Sequence, residues 1–341
     1  MKNFNIDDIK VPSRLDDIIK NSVYQGYDEK INERLSNNKP KKLNKNIVAA
    51  TILILIGLTT ALGLIFSTEV SAAVKLTMFD IKRYLGVNNN LDEYRTIVNE
   101  TVSKNGITIQ LNEVILDKDE LIVSTTVKSD QKLGNNGNIM VFGDIYINGK
   151  NISNSSGGAT KQIDEYTEES VLSYTLDGEL NDGNLYIEIK YNEALIHVDD
   201  KEDKVKGPWN FKFISNGDAL SINTNNIKLN NSFALENGQK ITLTEYKSND
   251  VGQKIYYSID NKDKNNIYYL MLKGHDNLGN EIEFYSSYEK ATSGLMKNQT
   301  EISDEAKVLI LTPYTVHVPK ESGKMSNDYK KIGEEFTIIL K

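Results

Sequence analysis

Cysteine is absent from all 341 residues, which removes disulfides and thiolate metal sites and leaves stability to packing alone. Histidine occurs only at His197, His275 and His317, never in an HExxH or other paired spacing, so neither a metal centre nor a His-based catalytic site is indicated. No GxSxG, P-loop or Rossmann fingerprint is present. Ser129 and Lys132 satisfy an SxxK spacing, but they follow a strand pattern instead of opening a helix, and the companion motifs are missing. The chain is read as a non-enzyme with no catalytic, cofactor-binding or metal-binding residues. Its formal net charge of −8 and the lack of a basic stripe argue against nucleic acid as a partner. Asp199, Asp200, Glu202 and Asp203 alternate with Lys201, Lys204 and Lys206, the pattern of a solvated loop.

What the sequence does contain is one apolar run. Asn46 to Thr68 holds 23 residues without a charge, and Ile47 to Phe66, at about 1.5 Å per residue, reaches roughly 30 Å, one hydrocarbon core. Twelve of those twenty residues are Leu, Ile, Val or Phe, which favours insertion by roughly 6 kcal/mol before the Thr and Gly contributions are subtracted. Val70-Ser71-Ala72 before Ala73 resembles a signal-peptidase site, yet 46 polar residues precede the run, far more than a secretory n-region carries. An uncleaved signal anchor is therefore expected. Arg34, Lys39, Lys41, Lys42 and Lys45 flank it on one side and only Lys75 on the other, which places the N-terminus inside the cell. Residues 1 to 46 carry 10 Lys/Arg and 7 Asp/Glu, a net +3, so the acidic remainder lies outside.

The inside segment, residues 1–45, has one helix signature in PSRLDDIIKNSVYQGY: Ser13 can cap, Asp16 is its partner three residues on, and Gly26 ends the helix. Leu15, Ile18, Ile19 and Val23 then share one face. Four apolar residues cannot build a core, so this face lies on the membrane, docks on a partner, or belongs to a loosely ordered tail. Beyond the anchor (46–67), a juxtamembrane stretch (68–95) spaces Val74, Met78, Ile81 and Leu85 as an amphipathic helix ending at Gly86.

From about Thr96 the apolar period becomes two. Ile107, Ile109 and Leu111, a turn at Asp117 to Glu120, and Leu121, Val123, Thr125 and Val127 read as a hairpin. Further strands fall at Ile145–Ile147 before Asn148-Gly149, at Leu185–Ile189, and at Trp209–Phe213, where Trp209, Phe211 and Phe213 share a core face. After a polar joint near Ser215 to Asn223 the pattern restarts: Asn237-Gly238 before Ile241-Thr-Leu-Thr-Glu245 echoes Asn105-Gly106 before Ile109-Gln-Leu-Asn-Glu113. Strands at Ile255–Ile259, Tyr268–Leu272, Ile282–Tyr285, Val308–Leu311 and Phe336–Leu340 follow. The expected fold is mainly β, two tandem Ig-like β-sandwich domains at 96–216 and 217–341.

The stretches NGITIQLNEVILDKDELIVSTTV, GPWNFKFIS and DNLGNEIEFY resemble a family of single-span envelope proteins of Gram-positive bacteria carrying a domain of unknown function, and the resemblance covers most of the chain. Several members are similar to anti-sigma factors. The resemblance implies a plasma-membrane regulator whose tail holds a cytoplasmic extracytoplasmic-function sigma factor through Leu15, Ile18, Ile19 and Val23, while the outer domains meet an envelope ligand. This chain lacks the Cys and early His of the zinc-containing anti-sigma domain, so its tail would bind without metal. The competing expectation is an anchored surface-binding or adhesion module.

Overall fold

The computed structural model describes residues 79–340, apart from 135–136, 178–179, 199–200, 263–266, 299–301 and 320–324. The tail face of Leu15, Ile18, Ile19 and Val23, the apolar run 47–66, and Val74 and Met78 lie outside the described residues. Among the described residues no helix is long and apolar enough to cross a membrane.

Of the helical spacing expected from Val74 to Leu85, the described part is one short helix, α1 (Ile81–Leu85). Asp80 caps it by accepting the Arg83 N–H at 2.8 Å. Gly86, in the left-handed region at φ 67°, closes it by donating its N–H to the Lys82 and Arg83 carbonyls.

Nine strands follow: β1 (Arg95–Lys104), β2 (Ile107–Leu116), β3 (Glu120–Ser129), β4 (Asn138–Ile147), β5 (Lys150–Asn151), β6 (Ser153–Gln162), β7 (Thr167–Leu176), β8 (Asn184–Val198) and β9 (Lys201–Asn216). They form two antiparallel sheets, β1-β2-β3-β7-β6 and β5-β4-β8-β9. Alternation along the strands gives both sheets to one core: Ile109, Leu111, Val123 and Tyr174 from the first meet Ile145, Ile187, Tyr191 and Phe211 from the second. Trp209 is fully buried in it and donates Nε1–H to the Ile107 carbonyl at 3.1 Å.

The Asn-Gly pairs act where the pattern put them. Asn105 and Gly106 both have positive φ between β1 and β2, as do Asn148 and Gly149 between β4 and β5, the geometry of a two-residue hairpin turn. The charged stretch from Lys201 is a correction: it is not a loop but the start of β9, paired with β8 as a long hairpin whose Lys and acidic side chains stay in solvent. Strand β6, Ser/Gly-rich and without an apolar alternation, escapes a periodicity reading altogether; its pairing with β7 supplies what its side chains do not.

After α2 (Asp218–Ile222) come β10 (Asn225–Lys228), β11 (Ser232–Ala234), β12 (Lys240–Asn249), β13 (Gly252–Asp260), β14 (Tyr268–Asp276), β15 (Glu281–Glu289), β16 (Ser293–Asn298), β17 (Val308–His317), β18 (Lys330–Lys331) and β19 (Phe336–Ile339). Here the structure departs from the two-sheet expectation. Hydrogen bonds run through ten antiparallel strands of a single sheet, β10-β12-β13-β16-β15-β14-β17-β18, with β11 also on β12 and β19 on β17. Such a sheet has to curl to bury its own face, and Leu243, Ile255 and Tyr257 near one end share a core with Leu272, Leu309 and Ile338 near the other.

The sequence echo has a structural counterpart. The β2–β3 pairing slips by one residue between Leu111 and Glu113, and the β12–β13 pairing slips at the matching place, between Leu243 and Glu245. Both are β-bulges about half a strand from their hairpin tips.

Candidate functional site

The two matching hairpins point their tips at each other, and the functional candidate is what lies between them. In the first tip Asp117 N–H bonds the Glu120 carbonyl at 2.8 Å, making the tight turn that the sequence indicated. Facing it, the β12–β13 tip brings Asn249 within 3.5 Å of Asp117, the two being 132 residues apart and equivalent in the repeat.

One side chain ties the tips together. Lys254, on β13, is only 7% exposed, and its Nζ lies 2.9 Å from Asp117 Oδ2, 3.1 Å from Asp119 Oδ1 and 2.7 Å from Glu120 Oε2. Lys297, on β16, pairs with the other Glu120 oxygen and donates to Ser173 Oγ at 3.2 Å. Tyr256 donates its hydroxyl to Asp119. Burial by itself would pull the Lys254 ammonium down, but the carboxylates of Glu120, Asp119 and Asp117 outweigh it and hold Lys254 well above its ordinary value. Burial likewise opposes ionisation of Glu120, yet Lys254 and Lys297 bring its carboxyl down to about 2, and Lys254 lowers Asp117 also.

A pH prediction follows from Glu120. Its folded value of about 2 lies below its ordinary 4.5, so its stabilisation is complete above that ordinary value and is lost as pH falls from there towards 2. The difference corresponds to about 3 kcal/mol. Urea midpoints of wild type and Glu120→Gln, measured from neutral pH down to about pH 3, are expected to converge on acidification. A gap between them that stays constant with pH would show that Glu120 is not held ionised by the joint.

Residues 79–94 are fastened to the same joint. Ile81, Leu91 and Tyr94 pack on Ile115, Ile122 and Val171, the outward side of the first sheet, together with Leu220 and Val251. Phe79 N–H donates to Glu169 Oε2 at 2.7 Å. Toward the second β unit, Tyr94 donates its hydroxyl to Asp250, Asn89 donates to the other Asp250 oxygen at 2.9 Å, and Asn223 donates to the Tyr94 hydroxyl at 2.7 Å. Residues 79–94 thus bond both β units at once.

Between these parts lies a cavity of about 300 Å³, bounded by Leu85–Asn89, Glu120 and Ile122, the β12–β13 tip, Lys297, Asn298 and residues 302–306. No cluster of three or more His, Asp or Glu side chains suited to a metal occurs among the described residues. His197 meets Asn138 and Glu202, His275 meets its neighbour's carbonyl, and His317 stacks near Tyr268, which accounts for all three locally. Sequence reading found the Asp117–Glu120 turn but not its role. Nothing in a D-K-D-E turn says that a lysine 137 residues away will bury against it.

Two uncharacterised families match parts of the chain. A domain of unknown function, DUF4179, matches residues 38–129, from before the apolar run to the end of β3. A family of unknown function, DUF5643, matches residues 224–340, the strands of the second β unit. No curated protein matches. Among solved structures, the crystal structure of a conserved domain protein from Bacillus anthracis is similar at 20% identity and a TM-score of 0.58, covering 77% of this chain and 99% of its own, a likeness of fold.

Proposed function

We propose that the chain is a single-pass membrane regulator, anti-sigma-factor-like, in which residues 47–66 anchor a cytoplasmic tail to outer β units that gate an envelope signal. The observation that carries this reading is the double attachment of residues 79–94, because the stretch leading from the apolar run is bonded to both β units and any change in their mutual angle has to pull on it. Two features support it. The DUF4179 match takes in the apolar run and β1–β3 as one block, and the flanking charges favour an inside N-terminus. In this proposal the outer part is two tandem sandwich-like units, and the tail holds a sigma factor with Leu15, Ile18, Ile19 and Val23 laid in a groove of the partner.

The expected result is that Ile18→Asp in the membrane-solubilised full chain loses the captured partner, because the docked helix would bury an unpaired charge. Deletion of residues 1–40 has the same effect, and Asn21→Asp on the opposite face retains the partner. Transcripts of the partner's target genes rise in the first two strains. Identical co-purified proteins and unchanged transcripts in all of them would remove the regulator reading. The second reading, an anchored surface-binding module, would then stand, favoured by the cavity at the joint.

A further inference from the structure

We infer that the outer edge of β6 is a self-pairing surface, along which a second copy of this chain adds its own β6 antiparallel and joins two five-stranded sheets into one. The inference does not depend on what the tail binds.

A strand at a sheet edge presents unpaired N–H and C=O groups, and proteins shorten, kink, charge or cover such edges to stop them from pairing. The other edges of this protein are treated in that way. In the second unit β10, β11, β18 and β19 have only two to four residues each. In the first unit β5 has two residues, and β1 is broken by a bulge between Ile97 and Glu100. The β1 edge also lies against β9, with the Thr96 and Ser215 hydroxyls 2.9 Å apart and Asn105 donating to the Lys206 carbonyl at 2.8 Å. Along the open side of β4 the N–H groups are capped by side chains: Ile139 donates to Glu168 at 2.6 Å, Gly143 to the Tyr174 hydroxyl at 3.0 Å, and Ile145 to Ser153 at 3.2 Å.

Strand β6 is the exception. It is ten residues long, pairs with β7 alone, and carries no charge from Ser156 to Thr160. Ile163 donates to the Thr167 carbonyl at 2.9 Å, and the same register continues through Lys161–Glu169, Ala159–Val171 and Gly157–Ser173. Bonded and non-bonded positions alternate along an antiparallel pair, so the backbone groups of Ser156, Gly158 and Thr160 turn away from β7. All three residues are exposed. Gly158 is needed internally, because a Cβ there would strike the Val171 carbonyl; Gly157 is not, since a Cβ there would meet nothing within 4 Å and its φ is outside the left-handed region. A strand glycine that its own fold does not require marks a place where another backbone comes close.

The outward groups fit a second β6. A two-fold axis through Gly158 sets Ser156 of each copy opposite Thr160 of the other and Gly158 opposite Gly158, so every outward N–H in these three residues meets a carbonyl. Lys161, the strand's one charge, then faces Ser155 of the second copy, and no like charges meet.

The test reads the mass of the detergent-solubilised full chain by analytical ultracentrifugation, with a dimer expected for the wild type. Ser156→Lys combined with Thr160→Lys sets like charges opposite each other at both outer pairs and should raise the dimer Kd at least about tenfold. Ser156→Lys combined with Thr160→Glu sets opposite charges there and should bring it back. Both positions are exposed, so Trp209 fluorescence should report the same folded state throughout. The chain has no cysteine, which allows a check of register by Ser156→Cys combined with Thr160→Cys. Facing Cα atoms about 5.5 Å apart fit a disulfide, whereas the two positions within one copy lie roughly 13 Å apart along the strand and cannot be bridged. Oxidation should therefore give a covalent dimer, and Ser326→Cys, exposed elsewhere, should give none. A monomeric wild type, a dimer indifferent to the paired lysines, or cross-linking of Ser326→Cys to the same extent would each overturn the proposal.

Discussion

Lys254→Met is expected to cost about 3–5 kcal/mol, among the largest single-residue effects in the protein, because it strips the shared cation from three carboxylates, two of them buried. Methionine keeps much of the chain's volume, so the loss reports on charge more than on packing. After the change Lys297 remains beside Glu120, but Asp117 and Asp119 keep only hydrogen-bond donors such as Asn249, Tyr256 and the Lys118 N–H. Urea unfolding of the full chain in micelles measures the effect. Lys204→Met, which removes an exposed lysine from loose pairs with Glu193 and Glu202, should change the midpoint little. Adding Asp117→Asn to the Lys254→Met protein should recover part of the loss, since one uncompensated charge is removed. A cost for Lys254→Met below about 1 kcal/mol would mean that water reaches the joint and that the network does not bind the units together.

Trp209→Ala should be comparably damaging, about 3–5 kcal/mol, by emptying the centre of the first core. Trp209→Phe separates two contributions: it keeps most of the ring but leaves the Ile107 carbonyl without its donor, for about 1–3 kcal/mol. As the sole tryptophan, Trp209 also reports on one β unit alone, whereas circular dichroism reports on both. In the wild type the two signals should move together, because the buried ion network and residues 79–94 join the units. In Lys254→Met the fluorescence and dichroism transitions should separate. Coincident transitions in that variant would show that the apolar contacts of Ile115, Ile122, Val171, Leu220 and Val251 suffice for cooperativity.

The sequence by itself determined the class of the protein and its local punctuation. Period-two alternation at Ile107–Leu111 and Leu121–Val127 gave the first hairpin because each strand buries one face, and Asn105-Gly106 gave its turn because both residues tolerate positive φ. The echo at Asn237-Gly238 was legible as a turn in which Gly238 alone takes positive φ, and the core face of Trp209 and Phe211 was legible from strand alternation. Strand β6 was not legible, since a Ser/Gly run takes its strand form from its partner β7. Neither was the closure of ten strands into one curled sheet, because hydrogen-bond continuity from β13 to β16 joins residues about forty positions apart that carry no mark of each other. The joint belongs wholly to tertiary structure. Asp117, Asp119, Glu120, Lys254 and Lys297 read singly as surface charges. Only the meeting of two hairpin tips removes Asp117, Glu120 and Lys254 from water and half-buries Asp119 and Lys297, and removal from water is what turns ordinary ion pairs into a clamp.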